Sequence, residues 1–330
     1  MKKIIVILVS LSFLLCFHPI PAHQSGSGTE ERKIGVVVTI LPLAEFVEKT
    51  GKERVEVSVM VPPGANPHTY EPTPGQLKKV SQARMYVKVG SGIEFEMAWM
   101  AKLISLNRKM LVCNSSEGLP LLEMKRDNQS QGQESTPPPK TLHEPNRQYD
   151  NHHDHDRGHH DRDEHRHHGH DPHLWLSPVN VMSMVVNIRD ALIRVDPEGS
   201  SLYTRGSQGF ILELKQLDNQ IRERLSSLKT RSFLSFHPAW GYFASTYGLE
   251  QIPVELEGKE PSARDLVRII RLARDLNLKV IFTSPQFSRK SAEVIAGEIR
   301  GKVIFLDPLA KNYIENLHEV ANALLVQGPE

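Results

Sequence analysis

The sequence predicts an α/β fold with two parallel-sheet lobes joined by a long rigid helix. Three observations predict it: strand-like and helical segments alternate, they do so in two separate series, and one amphipathic stretch bridges the series. In the first series, residues 34–40, 55–61, 85–89 and 109–113 read as short apolar strands, with helices at 73–83 and 94–105. The second series has strands near 232–236, 252–256, 280–283 and 303–306, with helices at 262–277, 288–300 and 312–326. Between them, Phe210, Leu214, Leu217, Ile221, Leu225 and Leu228 recur at three- and four-residue spacing and lay one apolar stripe along 200–228. An ordinary amphipathic surface helix has the same stripe, but the length and position favour a connecting helix. As a continuous hydrogen-bonded rod it would limit movement of the lobes.

The expected organisation is a signal peptide at 1–22, an N-terminal lobe at 23–197, the connecting helix at 198–228 and a C-terminal lobe at 229–330. Lys2 and Lys3 precede the apolar run 4–17, and Pro19, Pro21 and Ala22 form a plausible cleavage region, so export to the periplasm is expected. The run is shorter than the ~20 residues that span a bilayer. Lipid attachment at Cys16 is disfavoured by the bulky Leu14 and Leu15 before it.

Composition narrows the chemistry. Lys plus Arg number 40 against 39 Asp plus Glu, a balance that gives no footprint for nucleic acid. With Cys16 in the signal, Cys113 stands alone, so neither an intramolecular disulfide nor a cysteine-based zinc site can be built. Any metal chemistry must use histidine and carboxylate.

Residues 125–169 break the α/β pattern. They carry Pro137, Pro138 and Pro139 and then a run in which His, Asp and Arg alternate, a composition that cannot bury a core and is expected to be disordered without metal. His152, His153, His155, His159, His160, His165, His167, His168 and His170 form an expected weak, multi-site metal-binding loop, because imidazole suits zinc, copper and nickel. A solvated low-complexity insertion with no metal role is the competing reading. Ordering such a loop around each ion costs entropy, which argues against its being the tight site.

Three histidines outside this run lie beside prolines: His68 in Pro67-His68-Thr69-Tyr70-Glu71-Pro72, His173 in Asp171-Pro172-His173-Leu174-Trp175-Leu176, and His237 in His237-Pro238-Ala239-Trp240-Gly241-Tyr242-Phe243. Singly, each fits an ordinary loop histidine. His68 and His237 follow predicted strands, however, and ligands in open α/β sheets collect beyond the carboxyl ends of strands. Asp307, in Leu306-Asp307-Pro308-Leu309, also follows a strand, although a turn cap before Pro308 explains it equally simply.

These four motifs, in this order and with a His-rich loop before the second, resemble the signatures of the metal-binding solute-binding proteins of bacterial zinc and manganese ABC transporters. The resemblance runs through essentially the whole chain after the signal. It implies two α/β lobes joined by a rigid helix, with a metal site in the cleft between them, and a membrane permease as partner; a monomer that takes no small organic substrate is expected. Carried over residue by residue, it makes His68, His173 and His237 metal ligands and matches Asp307 to the carboxylate of the second lobe. Water could replace Asp307, and Glu71 is a weaker alternative. Manganese-type members generally place a carboxylate where His237 stands, so the resemblance favours Zn2+. A nitrogen-rich shell also suits tetrahedral zinc better than manganese. Neutral imidazole is the binding form, so affinity is expected to fall as pH drops through about 6.5.

Three histidines with an open position also describe a hydrolytic zinc site. The chain has no His-Glu-x-x-His pair, no Gly-x-Ser-x-Gly elbow and no phosphate loop, and an enzyme is not expected. A periplasmic zinc buffer or a metal-dependent adhesin remains the alternative to a transport component.

Overall fold

The structure is a computed structural model and describes residues 33–123, 169–255, 260–287 and 289–326. The expected signal peptide, Cys16 and the histidines from His152 to His168 lie outside the described residues.

Two four-stranded, all-parallel sheets carry the fold. The N-terminal sheet holds β1 (Ile34–Val38), β2 (Val55–Val59), β3 (Met85–Lys88) and β4 (Leu111–Asn114) in the order β2-β1-β3-β4. In the C-terminal sheet β5 (Ser232–Ser235), β6 (Glu250–Pro253), β7 (Val280–Thr283) and β8 (Lys302–Phe305) repeat that order as β6-β5-β7-β8. Each sheet therefore reverses strand order beside its first strand, and the crevice outside the carboxyl ends there is where such sheets bind ligands.

Helices cover the sheets as the alternation predicts: α2 (Pro74–Gln82) and α3 (Glu94–Leu106) in the first series, α7 (Ala263–Asp275), α8 (Arg289–Glu298) and α9 (Tyr313–Leu325) in the second. Three more, α1 (Leu41–Gly51), α4 (Pro178–Val195) and α6 (Gly241–Tyr247), were not anticipated from the sequence. In α4 the signal was present, since Val181, Met184, Val185, Ile188 and Leu192 form a buried stripe at helical spacing.

The bridging stretch forms one helix, α5 (Ser200–Ser226), about 40 Å long at 1.5 Å per residue. Its predicted stripe is buried at Phe210, Leu214, Leu217, Ile221 and Leu225 and extends back to Tyr203, whereas Leu228 lies beyond the helix end and is half-buried. α5 packs on α1 and α4 of the first series and on α9 of the second. It approaches α1 so closely that a Cβ on Gly206 would lie 2.4 Å from the Thr50 carbonyl oxygen, so only glycine fits.

One apolar core runs from the N-terminal sheet through α4, α5 and α9 to one face of the C-terminal sheet, where Phe233, Val280 and Phe282 belong to it. Their neighbours Leu234 and Ile281 point the other way, into a second core under α7 and α8, as strand alternation requires. Phe46 of α1 stands edge-on to Tyr313 of α9 at 5.1 Å and meets Phe210 of α5 at 5.8 Å. The Tyr313 hydroxyl donates to the Trp175 carbonyl (2.8 Å), and the Trp175 indole N–H donates to the Pro308 carbonyl (2.8 Å). These bonds tie the lobes together below the crevice.

Candidate metal centre

Each of the three histidines is brought to the crevice by a different local device. His68 sits in the loop after edge strand β2. Gln76, in the first turn of α2, forms a reciprocal capping box with Thr73 and donates its side-chain amide to the Met60 carbonyl at 2.6 Å, holding both ends of that loop. Asn66 Oδ1 accepts from the His68 backbone N–H at 2.9 Å, tightening the turn before it. His173 lies where the chain returns from residues 124–168, at a point fixed by a single antiparallel bridge between Glu123 and His170 and by an Asp171 N–H bond to the Leu122 carbonyl (2.8 Å). His237 follows β5 directly, and its ring stacks on Phe287 at 4.4 Å, 20° from parallel.

These three side chains converge. Each offers a ring nitrogen within 4.8 Å of the others, and among the described residues this is the one group of His, Cys, Asp or Glu side chains so gathered. His173 Nε2 and His237 Nε2 lie 3.4 Å apart, and the His68 and His237 rings sit 5.2 Å apart at 75°. His173 is buried at 7% exposure, whereas His68 and His237 are partly open.

A carboxylate stands behind each ring. Asp171 Oδ1 accepts both the His173 backbone N–H (2.9 Å) and a bond at Nδ1 (2.8 Å). Glu255 Oε2 lies 3.0 Å from His237 Nδ1. The parallel pairing of β5 and β6 accounts for that contact, because the ladder continues past both strands through Val254 N–H to Ser235 O and Glu255 N–H to Phe236 O. Glu94, at the start of α3, brings Oε2 to 2.8 Å from His68 Nδ1, an ion-pair contact whose alignment falls short of a hydrogen bond. Burial is the largest single influence on the Glu94 carboxyl and tends to raise it, but the adjoining His68, the Glu94 backbone N–H and His173 together hold the group below the usual carboxylate value. For His237, burial is the largest influence and holds the ring below the ordinary histidine value against the opposing pull of Glu255, with His173 and His68 adding to the depression.

The α3 end is itself anchored. Glu96, buried, accepts from Thr39 Oγ1 (2.6 Å) and from the backbone N–H groups of Val89 (2.6 Å) and Gly90 (2.9 Å). Burial raises its pKa despite those bonds. Ser91 then donates to the Pro172 carbonyl at 2.5 Å, linking the β3 loop to the His173 loop.

Asp307 is not brought into the cluster. Its Oδ1 accepts from the Gln286 amide (2.8 Å) and the Leu309 N–H (2.9 Å), the turn-capping arrangement weighed for it in the sequence. The physical reason is strand order: Asp307 follows edge strand β8, two places from β5, and strands are spaced about 4.8 Å apart. Glu71 is exposed and outside the cluster as well. Of the His-rich run, His170 alone is described, exposed beside the Glu123 bridge.

Sequence reasoning did not single out Glu94, Asp171 or Glu255. For Asp171 a local signal existed, since an aspartate two residues before another residue readily takes that residue's N–H. Glu94 and Glu255 carry no local signal, because only the folded strand and helix order brings them to their histidines.

Residues 36–326 match the family model described as zinc-uptake complex component A, periplasmic. The chain is 30% identical over 279 residues to the high-affinity zinc uptake system protein ZnuA of Bacillus subtilis, covering 84% of this chain and 79% of that protein. It is 29% identical over 311 residues to the zinc-binding protein AdcA of Streptococcus pyogenes serotype M3, covering 94% of this chain and 56% of that protein, so it spans little more than half of that relative's length. Among solved structures, a zinc-bound deletion mutant of ZnuA superposes with a TM-score of 0.74 at 36% identity, covering 90% of this chain and 99% of that one.

Proposed function

The chain belongs to the family of periplasmic zinc-uptake complex component A proteins, and on that premise we propose that it captures Zn2+ and delivers it to the membrane permease of an ABC-type importer. The family is one of transport proteins, and binding, with no covalent step, is all that the proposed role requires.

The observation that carries the proposal is the 3.4 Å separation of His173 Nε2 and His237 Nε2 with each Nδ1 already held by a carboxylate. If the carboxylates hold the protons on Nδ1, each ring presents a bare lone pair at Nε2, and two facing lone pairs at that distance repel. A cation between them converts the repulsion to coordination. Two nitrogens bound to tetrahedral zinc at roughly 2.05 Å lie about 3.3 Å apart, so the rings already have close to the spacing zinc requires. His68 supplies the third nitrogen. The three histidines leave a fourth position open to water, since Asp307 is engaged by Gln286 and the Leu309 N–H. Nitrogen-rich coordination of this kind favours zinc over manganese.

On this reading the chain acts as an exported monomer, with Cys16 unlipidated and removed with the signal. The histidines 152–170 collect zinc weakly and raise its concentration at the centre, since their segment rejoins the fold at His170, just before His173. The direct test is uptake of radioactive zinc by cells lacking the chain. Restoration by the native protein but not by His173→Ala supports delivery to the permease. Normal uptake without the chain would instead favour a buffer.

A further inference from the structure

We propose that Asp171 and Glu255 are positioning residues for His173 and His237, which fix the proton on Nδ1 and so aim Nε2 at the ion before it arrives, with Glu94 a looser partner that orients the His68 ring. The inference rests on the reading of the three histidines as ligands and concerns residues that do not touch the ion.

Three independent parts of the fold produce the same arrangement. Asp171 comes from the His173 loop, Glu255 from the extension of the β5–β6 ladder, and Glu94 from the first turn of α3, yet each sets a carboxylate oxygen 2.8, 3.0 or 2.8 Å from Nδ1 of its own histidine. A neutral imidazole has one N–H and one lone pair, and a carboxylate accepts only; the partner at Nδ1 therefore dictates that the proton sits there. Partners of this kind orient metal-bound histidine and make the ring a stronger donor.

The surroundings hold the carboxylates in place. Asp171 is 6% exposed and Glu255 5%. Asp171 Oδ2 also faces the start of α6 so closely that a Cβ on Gly241 would lie 2.3 Å from it, which gives this glycine a physical reason in the His237 motif. Glu94 differs. Its side chain is 45% exposed, and its contact with His68 is poorly aligned for a hydrogen bond, so it positions its ring least firmly.

The test is nitrogen NMR of the imidazole tautomers in the full zinc-free protein at pH 8, followed by zinc titration of Glu255→Ala, Glu255→Gln and Glu94→Gln. Expected are His173 and His237 with the proton on Nδ1, loss of that tautomer at His237 in Glu255→Ala, and its retention in Glu255→Gln, whose side-chain oxygen still accepts. Zinc affinity should fall about tenfold or more in Glu255→Ala, less in Glu255→Gln, and least in Glu94→Gln. Protons on Nε2 in the native zinc-free protein would overturn the inference, and that spectrum decides it even if Glu255→Ala fails to fold. Unchanged zinc affinity in a folded Glu255→Ala would overturn it too. Correct tautomers in a protein that binds no zinc would instead sink the zinc reading and leave the positioning intact.

Discussion

The proposed metal centre has a closed side and an open side. On the closed side His173 and His237 are backed by Asp171 and Glu255, carboxylates almost wholly removed from solvent and joined to their rings by aligned bonds of 2.8 and 3.0 Å. On the open side His68 is backed by Glu94, which is half in solvent and poorly aligned. The difference follows from the elements involved. The closed side is built where strand ladders and a buried turn converge, whereas His68 rides on a long loop held at its base by Gln76. The closed pair should determine whether zinc binds tightly at all, and the open histidine how readily it enters and leaves.

The largest expected effect is at the closed pair. His173→Ala or His237→Ala should weaken zinc binding beyond the roughly 100-fold seen for outer-shell changes, because a ligand is lost and a buried carboxylate is left without its partner. Calorimetry checks this, and a His68→Ala loss as large as either would erase the distinction between the sides. For His68→Ala a smaller loss of affinity and a faster release to chelator, read by stopped flow, are expected. Gly241→Ala should come next, about tenfold in affinity, through displacement of the Asp171 carboxylate and not through any contact with the ion.

The response to acid should be milder. Burial holds His237 below the ordinary histidine value, so the unfolded chain takes up a proton near pH 6.5 that the folded ring refuses. Stability of the zinc-free protein therefore falls as pH drops from about 6.5 to the lower folded value, and denaturant melts at pH 7.5 and 5.5 should show it. A His237→Gln variant should lose part of that slope. Smallest of all is Asp307→Asn: affinity should stay within a few-fold in the same titration, because Asp307 is engaged by Gln286 and Leu309.

Much of this was legible in the chain itself. The two α/β series, the stripe of α5 and the three proline-flanked histidines are local patterns, set by the period of apolar residues and by turns at strand ends. The histidines' convergence rested on resemblance, since nothing local in His68 says that its loop returns toward His237. Asp307 marks the limit. Its place after a strand could be read, but how far that strand lies from the one carrying His237 depends on order in space, and β8 is two places from β5. Glu94 and Glu255 were hidden for the same reason. Helix α4 carries a legible stripe of its own at Val181, Met184, Val185, Ile188 and Leu192.

The most direct test of the central claim is calorimetric titration with zinc and with manganese of the chain from residue 23 lacking residues 151–169. One tight zinc site per molecule, preferred over manganese and abolished by His173→Ala or His237→Ala, is the predicted result. Absence of a tight site would contradict the account and point to the deleted histidines, and a tight site that survives both substitutions would contradict it by placing zinc elsewhere in the fold.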